Sequence, residues 1–352
     1  MSIARPDLDQ SILKGVKYLH QHQFPNGEFC CYIGHEDQMR DTVPDANIFP
    51  ASLICYSLLQ LAHIPEANEI LQLTASFLQS QSMRAGVWNN FTTAHKYFKI
   101  CSADVDNTCC ASIVLKSLQR DYTANEEILL LNRSKSGLFY TWYTFRPNTV
   151  WDKNYWLLIL REFKFPVTSY FFWTKNEARK YDIDAAVNAN VLFYLGLKAS
   201  TEPIIKYILA IIAQNKEDNC DAWYRNPFTI YYFFSRNYKA GIEALEPIKK
   251  PVTARILKTA KNDGTLGESI LDTALGAISL MNLGHHSSIL DQAINQLIQT
   301  QGQYGEWPRW ALYYGGPKKL QCYGSEEMTT GFCLEALAMY NQHLQKGNHE
   351  ST

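Results

Sequence analysis

Two aspartates one residue apart, in "SADVDNT" from Ser102 to Thr108, open a run, "CCASIVLKSL" from Cys109, that otherwise belongs inside a protein. Asp, Asn and Thr all satisfy free backbone N–H groups at a helix start, so capping is the plain use of such residues. The chemical use is different: a carboxylic acid held in a dry cavity keeps its proton and can serve as a donor. Residues two apart diverge inside a regular helix. At an N-cap the backbone is not yet helical, so Asp104 and Asp106 can turn toward one cavity. Asp45 and the pair Asp182/Asp184 stand at comparable helix starts without the rest of the pattern, and read as caps.

The background is that of a globular protein. The 352 residues are 46% hydrophobic, enough for a sizeable core. With 33 basic and 34 acidic residues the formal charge is −1, which gives nucleic acid and anionic membrane surfaces no electrostatic footing. Nine cysteines, an odd number that includes the neighbours Cys30/Cys31 and Cys109/Cys110, fit reduced thiols better than a disulfide framework. The opening "MSIARPDLDQSILKGVKYLHQHQ" lacks the apolar centre of a signal peptide, and no stretch reaches the roughly 18 apolar residues of a membrane span, so a cytoplasmic protein is expected. Rings are plentiful, with 21 Tyr, 17 Phe and 8 Trp; ordinary core is the general reading and a ring-lined cavity the specific one.

Apolar residues recur at three- and four-residue spacing along the chain, and strand signals are few, which predicts an all-α fold. Six strongly apolar helices begin near Asp45, Asp104, Asp182, Asn226, Glu268 and Ser325. Between them lie amphipathic helices around 8–22, 66–80, 124–132, 202–215, 246–260 and 287–300. A helix apolar nearly all round must be enclosed, whereas one with a polar face can meet water. The alternation therefore predicts a single (α/α)6 barrel over 1–352, an inner ring within an outer ring, with an insertion at about 143–181. Outer helices end in a second repeat: Gln23-Gly27-Phe29, Gln81-Gly86-Trp88, Asn132-Gly137-Phe139 and Gln301-Gly305-Trp307. Glycine supplies the positive φ that ends a helix, and the ring is expected to fold back against the amide.

Together the ties and the "DVDNT" stretch resemble the squalene-hopene cyclase-like class II terpene cyclases. The Gln-x-x-x-Gly-x-Trp tie of that family is matched best by Gln301 to Trp307, and its Asp-x-Asp-Asp-Thr acid motif by Asp104 to Thr108, with Asn107 where the family has a third acid. The likeness covers the whole chain as one barrel and is greatest to the single-domain bacterial meroterpenoid cyclases. It implies that Asp106, the middle acid, protonates a terminal alkene or epoxide of a linear polyprenyl or prenylated-aromatic substrate. Asp104, Asn107 and Thr108 would support it, and no cofactor would be needed. Burial and the charge of Asp104 would keep Asp106 protonated, while the helix N-terminus and the Asn107 amide would stabilise the carboxylate it leaves. Ring faces stabilise a travelling cation by roughly 0.5 to 2 kcal/mol each. Phe49, Trp151, Trp173, Trp223, Tyr231, Trp307, Trp310 and Tyr323 are the candidates for that lining, although Trp307 also belongs to a tie. Asn188, Asn190 or an ordered water are the candidates for the final base. Lys153, Lys175, Arg179 and Arg225 could meet an acidic head group, and an apolar substrate makes peripheral membrane contact compatible with a cytoplasmic location.

Other readings compete. Asp218, Cys220 and His285 or His286 have the Asp-x-Cys and distant-His spacing with which prenyltransferase toroids hold zinc. Glu217 to Asp221 spells Glu-Asp-x-x-Asp, which could hold magnesium against a diphosphate, though a solvated loop is the simpler reading. An (α/α)6 glycosidase with paired carboxylates and a non-catalytic helical scaffold complete the alternatives.

Overall fold

The computed structural model describes residues 5–147, 151–175 and 178–349. Its elements in chain order begin with α1 (Arg5–His22), β1 (Cys31–Gly34), β2 (Val43–Asp45), α2 (Phe49–Leu58), α3 (Pro65–Gln81), α4 (Val105–Ser117) and α5 (Glu126–Leu131). They continue with α6 (Lys153–Lys164), α7 (Pro166–Lys175), α8 (Ala185–Leu195), α9 (Glu202–Ala213), α10 (Pro227–Lys239), α11 (Lys249–Lys258), α12 (Ile270–Asn282) and α13 (Ser288–Gln299). Last come β3 (Tyr313–Gly315), β4 (Gln321–Gly324) and α14 (Glu326–His349).

Six of these helices pack side by side in a closed cycle: α2 on α4, α4 on α8, α8 on α10, α10 on α12, α12 on α14, and α14 back on α2. They are the six strongly apolar segments. In α4 and α8 nearly every residue is buried, because helices on all sides leave no face to water. The amphipathic helices α1, α3, α9, α11 and α13 flank them, each apolar stripe turned inward.

Four of the six ring helices, α4, α8, α12 and α14, have their mouths fastened in the same manner. The backbone N–H of Trp88 donates to Thr108 Oγ1 (3.2 Å), that of Trp307 to Thr330 Oγ1 (3.1 Å), that of Leu266 to Thr273 Oγ1 (3.1 Å) and that of Phe139 to Asn188 Oδ1 (2.8 Å). The tie residues do this through their backbones. Trp88 and Trp307 also cap their own outer helices, each indole N–H donating to a carbonyl ten residues back, that of Leu78 or Leu297, at 2.8 Å. Gln23 and Gln301 reach the carbonyls of Gly27 and Gly305 and a neighbouring helix besides. Gly305 has φ +106°, and a Cβ there would lie 2.3 Å from the Lys14 carbonyl, so only glycine lets the turn approach α1. At Gly86 the amide comes from elsewhere: Asn125 Nδ2 donates to its carbonyl (2.6 Å), and Gln81 serves Thr93 instead.

The all-α expectation needs one correction. A four-stranded antiparallel sheet, ordered β2-β1-β4-β3, joins the start of the chain to its end. Tyr32 pairs with Gly324 and Ile33 with Tyr323, while Tyr313 pairs with Tyr323. Strands of three or four residues carry too little alternation to be read from sequence. Asp45 is corrected too. It ends β2 rather than capping α2, whose N-cap is Ile48 and has no side-chain cap.

Candidate active site

A cavity of about 650 Å³ opens at the mouths of the ring helices, a size that suits a small-molecule site. Asp104, Asp106 and Asn107 from the head of α4 lie on its wall, with Phe49, Val187 and Tyr224 around them. The sheet forms another side through Ile33, Tyr313 and Tyr323, and the insertion contributes Thr168, Phe171, Phe172 and Lys175 of α7.

The two acids do different work. Asp104, with extended backbone (φ −131°, ψ 158°), is the N-cap of α4, and its carboxylate accepts the backbone N–H of Asn107 at 2.7 Å. Asn107 Nδ2 donates to both oxygens of the same carboxylate, at 3.1 and 3.0 Å. Thr108 donates to the Asp104 carbonyl at 2.6 Å, which makes it part of the repeated fastening rather than a partner of either carboxylate. Burial pushes the Asp104 carboxyl up to about 8, the bond from the Asn107 backbone opposes that, and the nearby charge of Asp106 adds to it.

Asp106 takes its partners from across the ring. Tyr224 O–H donates to Oδ2 at 2.5 Å, and Asn190 Nδ2 donates to Oδ1. Arg236 donates to Asn190 Oδ1, and because a guanidinium can only donate, this fixes the amide with its NH₂ toward Asp106. The Arg236 guanidinium is itself buried among rings, 4.5 Å from the centre of Phe193 and 4.9 Å from that of Phe233. Burial raises the Asp106 pKa, and Tyr224, Asn190 and Arg236 pull the other way. Asn107, expected to stabilise the Asp106 carboxylate, serves Asp104 instead. The free backbone amide that the Asp104 carboxylate caps is Asn107's own, which leaves the Asn107 side chain beside that same carboxylate. A neutral acid whose partners donate to its oxygens is poised to lose a proton into the cavity.

The cavity gathers some of the expected rings and not others. Phe49, Trp223 and Tyr323 line it. Trp151 does not: it is 86% exposed and stacks on Trp156 at 4.6 Å. Trp307 is wholly a tie. Trp173 lies behind the wall, edge-on to Trp142 at 5.9 Å, and Trp310 packs against Met39 and Cys322. Tyr231 faces away, its hydroxyl on Glu217 at 3.3 Å. Helix starts alone did not separate these, because a ring just before a helix can turn inward or outward. Trp142, Tyr224 and Tyr313 were not anticipated, yet they complete the lining, with Trp142 5.4 Å from Trp223 and Tyr313 5.4 Å from Phe49. Only the adjacency of Tyr224 to Trp223 hinted at one of them.

The rival clusters are drawn into the fold. Glu217 is buried and bonded to Arg255, Asp221 accepts the backbone N–H groups of Ala186, Trp223 and Tyr224, and Asp218 is exposed. In the stretch expected as a solvated loop, Glu217 and Asp221 are thus buried fastenings, while Asp218 and Asn219 between them are exposed. Cys220 donates to the Glu217 carbonyl at 3.3 Å, and His286 stacks on His343 at 3.7 Å. Among the described residues no three His, Cys, Asp or Glu side chains converge as a metal set. Neither suggested base is free: Asn188 holds Phe139 and the Asp184 carbonyl, and Asn190 is engaged at both ends.

As a sequence, the chain matches no family model and no curated protein. As a structure it has the fold of the type II terpene cyclases. MstE from Scytonema is 15% identical, with a TM-score of 0.71 over 96% of this chain and 99% of that one. Variants of MstE have been solved with geranylgeranyl dihydroxybenzoate, their substrate, and with merosterolic acid A, their product. A protein from Actinoplanes matches at 0.63 and 15% identity over 94% and 99% of the two chains. A possible member of the GH105 family from Klebsiella pneumoniae matches at 0.53 and 11% over 97% and 94%.

Proposed function

We propose that this chain is a class II terpene cyclase built on a single (α/α)6 barrel. Asp106 protonates a terminal alkene or epoxide of a linear polyprenyl or prenylated-aromatic substrate, and the cation then closes rings along the folded chain. The observation that carries this reading is the environment of Asp106: a buried acid on the wall of a ring-lined cavity, whose partners Tyr224 and Asn190 donate to its oxygens.

The physical argument is one of balance. Protonating an alkene creates a carbocation, so the donor must stay neutral until the moment of transfer and its conjugate base must be stabilised at once. Burial does the first and the donors of Tyr224 and Asn190 do the second. Phe49, Trp142, Trp223 and Tyr313 then present ring faces to the charge, each worth roughly 0.5 to 2 kcal/mol. Protonation requires no diphosphate and no metal, so the proposal includes no cofactor. The product is an isomer of the substrate.

Lys96 and Lys175 lie on the cavity wall and are the groups proposed to meet an acidic head group. Lys153 and Arg179 are exposed, and Arg225 is bound to the Lys319 carbonyl. Phe163, Phe165, Val167, Tyr170 and Phe171 of α6, α7 and their junction are exposed beside the cavity, which supports peripheral membrane contact as the source of an apolar substrate. Among the described residues no helix is long and apolar enough to cross a membrane.

The test is incubation of the purified protein with geranylgeranyl dihydroxybenzoate and with linear polyprenyl substrates of other lengths, beside Asp106→Asn. Cyclised isomers from the wild type and their loss in the folded variant are expected. Equal conversion by both proteins would remove Asp106 from the role of donor, and no conversion of any substrate would remove the cyclase reading.

A further inference from the structure

Resting on the cyclase reading, we propose that Asp45, held by His95, ends the reaction by taking a proton from the cyclised cation. The Asp45 side chain is 9% exposed and lines the cavity. Its Oδ1 accepts from His95 Nε2 at 2.9 Å. The direction of that bond follows from the other side of the ring, where Nδ1 accepts the backbone N–H of Tyr97 at 3.1 Å and so leaves the single proton of neutral His95 on Nε2. The imidazole stacks on Phe91 at 4.3 Å with 7° between planes, and meets Tyr97 at 5.3 Å. His95 thus holds one carboxylate oxygen still while the other, Oδ2, is buried without a protein partner among the described residues.

The other carboxylates on the wall are already engaged. Both oxygens of Asp104 receive Asn107, and the two of Asp106 receive Asn190 and Tyr224. Asp45 therefore presents an acceptor that the fold does not use. Its position also suits a final step. From Asp106 a run of rings leads through Tyr224 to Phe49 at 6.2 Å, to Tyr313 at 5.4 Å and to Tyr323 at 4.8 Å. Asp45 lies beyond, close enough for its charge to help push the phenols of Tyr313 and Tyr323 up. A cation born at Asp106 moves away from it as rings close, over ring faces, toward a fixed negative charge.

In the closing step the C–H bond beside the cationic carbon breaks and its electron pair becomes a new C=C bond. The proton passes to Asp45 Oδ2. One proton enters from Asp106 and one leaves to Asp45, so substrate and product remain isomers, and both carboxyls exchange protons with water between turnovers. Water reaching the cation at that place would instead form a C–O bond, lose a proton and give an alcohol, a hydrate rather than an isomer of the substrate.

The experiment compares products from wild type, Asp45→Asn and Asp45→Glu, with geranylgeranyl dihydroxybenzoate and shorter polyprenyl benzoates as probes, by chromatography and mass. Asn keeps a partner for His95 but is no base, so the share of the wild-type alkene should fall at least tenfold in favour of alcohols or alkene regioisomers. Glu restores the carboxylate and should return that share to within about threefold. An unchanged product ratio in Asp45→Asn overturns the inference and leaves the cyclase reading standing, as does a folded Asp45→Asn that consumes no substrate, which would place Asp45 in binding or initiation. Should Asp45→Asn fail to fold, His95→Gln is read in its place, with the same shift in ratio expected and an unchanged ratio again overturning the inference. Failure of the cyclase reading shows separately, as a wild type that makes no cyclised product.

Discussion

At the mouth of α4 the N-cap is Asp104 and the residue two further on is Asp106; at the mouth of α8 the N-cap is Asp184 and the residue two further on is Ala186. Asp184 is absorbed by the fold. Its carboxylate accepts the Thr141 hydroxyl at 2.5 Å and the Ala222 N–H at 2.9 Å, while the Ala186 N–H goes to Asp221 at 2.9 Å. Asp106 instead meets side chains from two other parts of the ring and faces the cavity. The first position recurs around the ring as Asp104, Asp184, Asn226 and Ser269, and the fourth after it as Thr108, Asn188 and Thr273. The second does not recur: it is Asp106, Ala186, Phe228 and Leu271, while Glu327 of α14 turns outward to Tyr18 and His22. What repeats holds the barrel together, and the departure from the repeat is where chemistry can sit.

The largest effect expected separates the two mouths directly. Asp106→Asn should lower turnover by at least about 10³-fold while the melting temperature stays within a few degrees, because a positioned acid is lost and the fold is not. Asp184→Asn should do the reverse, costing about 1–3 kcal/mol of stability in urea unfolding with turnover per folded molecule within about tenfold. If both variants lost only stability, the distinction between the mouths would collapse.

Next is Tyr224→Phe, which removes a donor to the Asp106 carboxylate and should lower turnover by about 10²-fold, read as initial rate at saturating substrate. A smaller effect concerns pH. Burial sets Asp104 at about 8 against an ordinary 3.8 and raises Asp106 as well, so the native chain binds more protons than the unfolded one in between. Their contribution to stability is fully present below about 3.8 and declines as pH rises toward about 8. Turnover, which needs the neutral donor, should decline on the alkaline side too. Asp104→Asn should flatten the fall in stability, measured by denaturation between pH 5 and 8; an equally steep fall in the variant would remove Asp104 as its source. Smallest is the pair Thr108→Val and Thr273→Val. Each breaks the same fastening of a ring helix and should cost about 1 kcal/mol, the two agreeing within error by thermal unfolding.

Much of the helical framework could be read locally. Buried helices such as "DAAVNANVLFYLGL" after Asp184 are apolar on every face, and their amphipathic neighbours are not, a contrast that the 3.6-residue period makes visible. The acids at the head of α4 were legible for the same reason, since caps lie within a turn of what they cap. Rings were less so: Trp151 and Trp223 both precede helices, and only packing turned one to solvent and the other to the cavity. Asp45 looked like a cap because its neighbours were apolar, whereas its true partner, His95, is 50 residues away.

The sequence by itself determined the alternating helices, the glycine turns that end them and the capping residues that start them, all set by interactions within about one helical turn. Tertiary structure alone decided that Asn190, 84 residues from Asp106, and Tyr224, 118 residues from it, would meet its carboxyl, and that Arg236 would orient the amide between them. Residue type names what a side chain can donate or accept, but closure of the ring chooses its partner, because that choice depends on which faces the packed helices bring within 3 Å of one another.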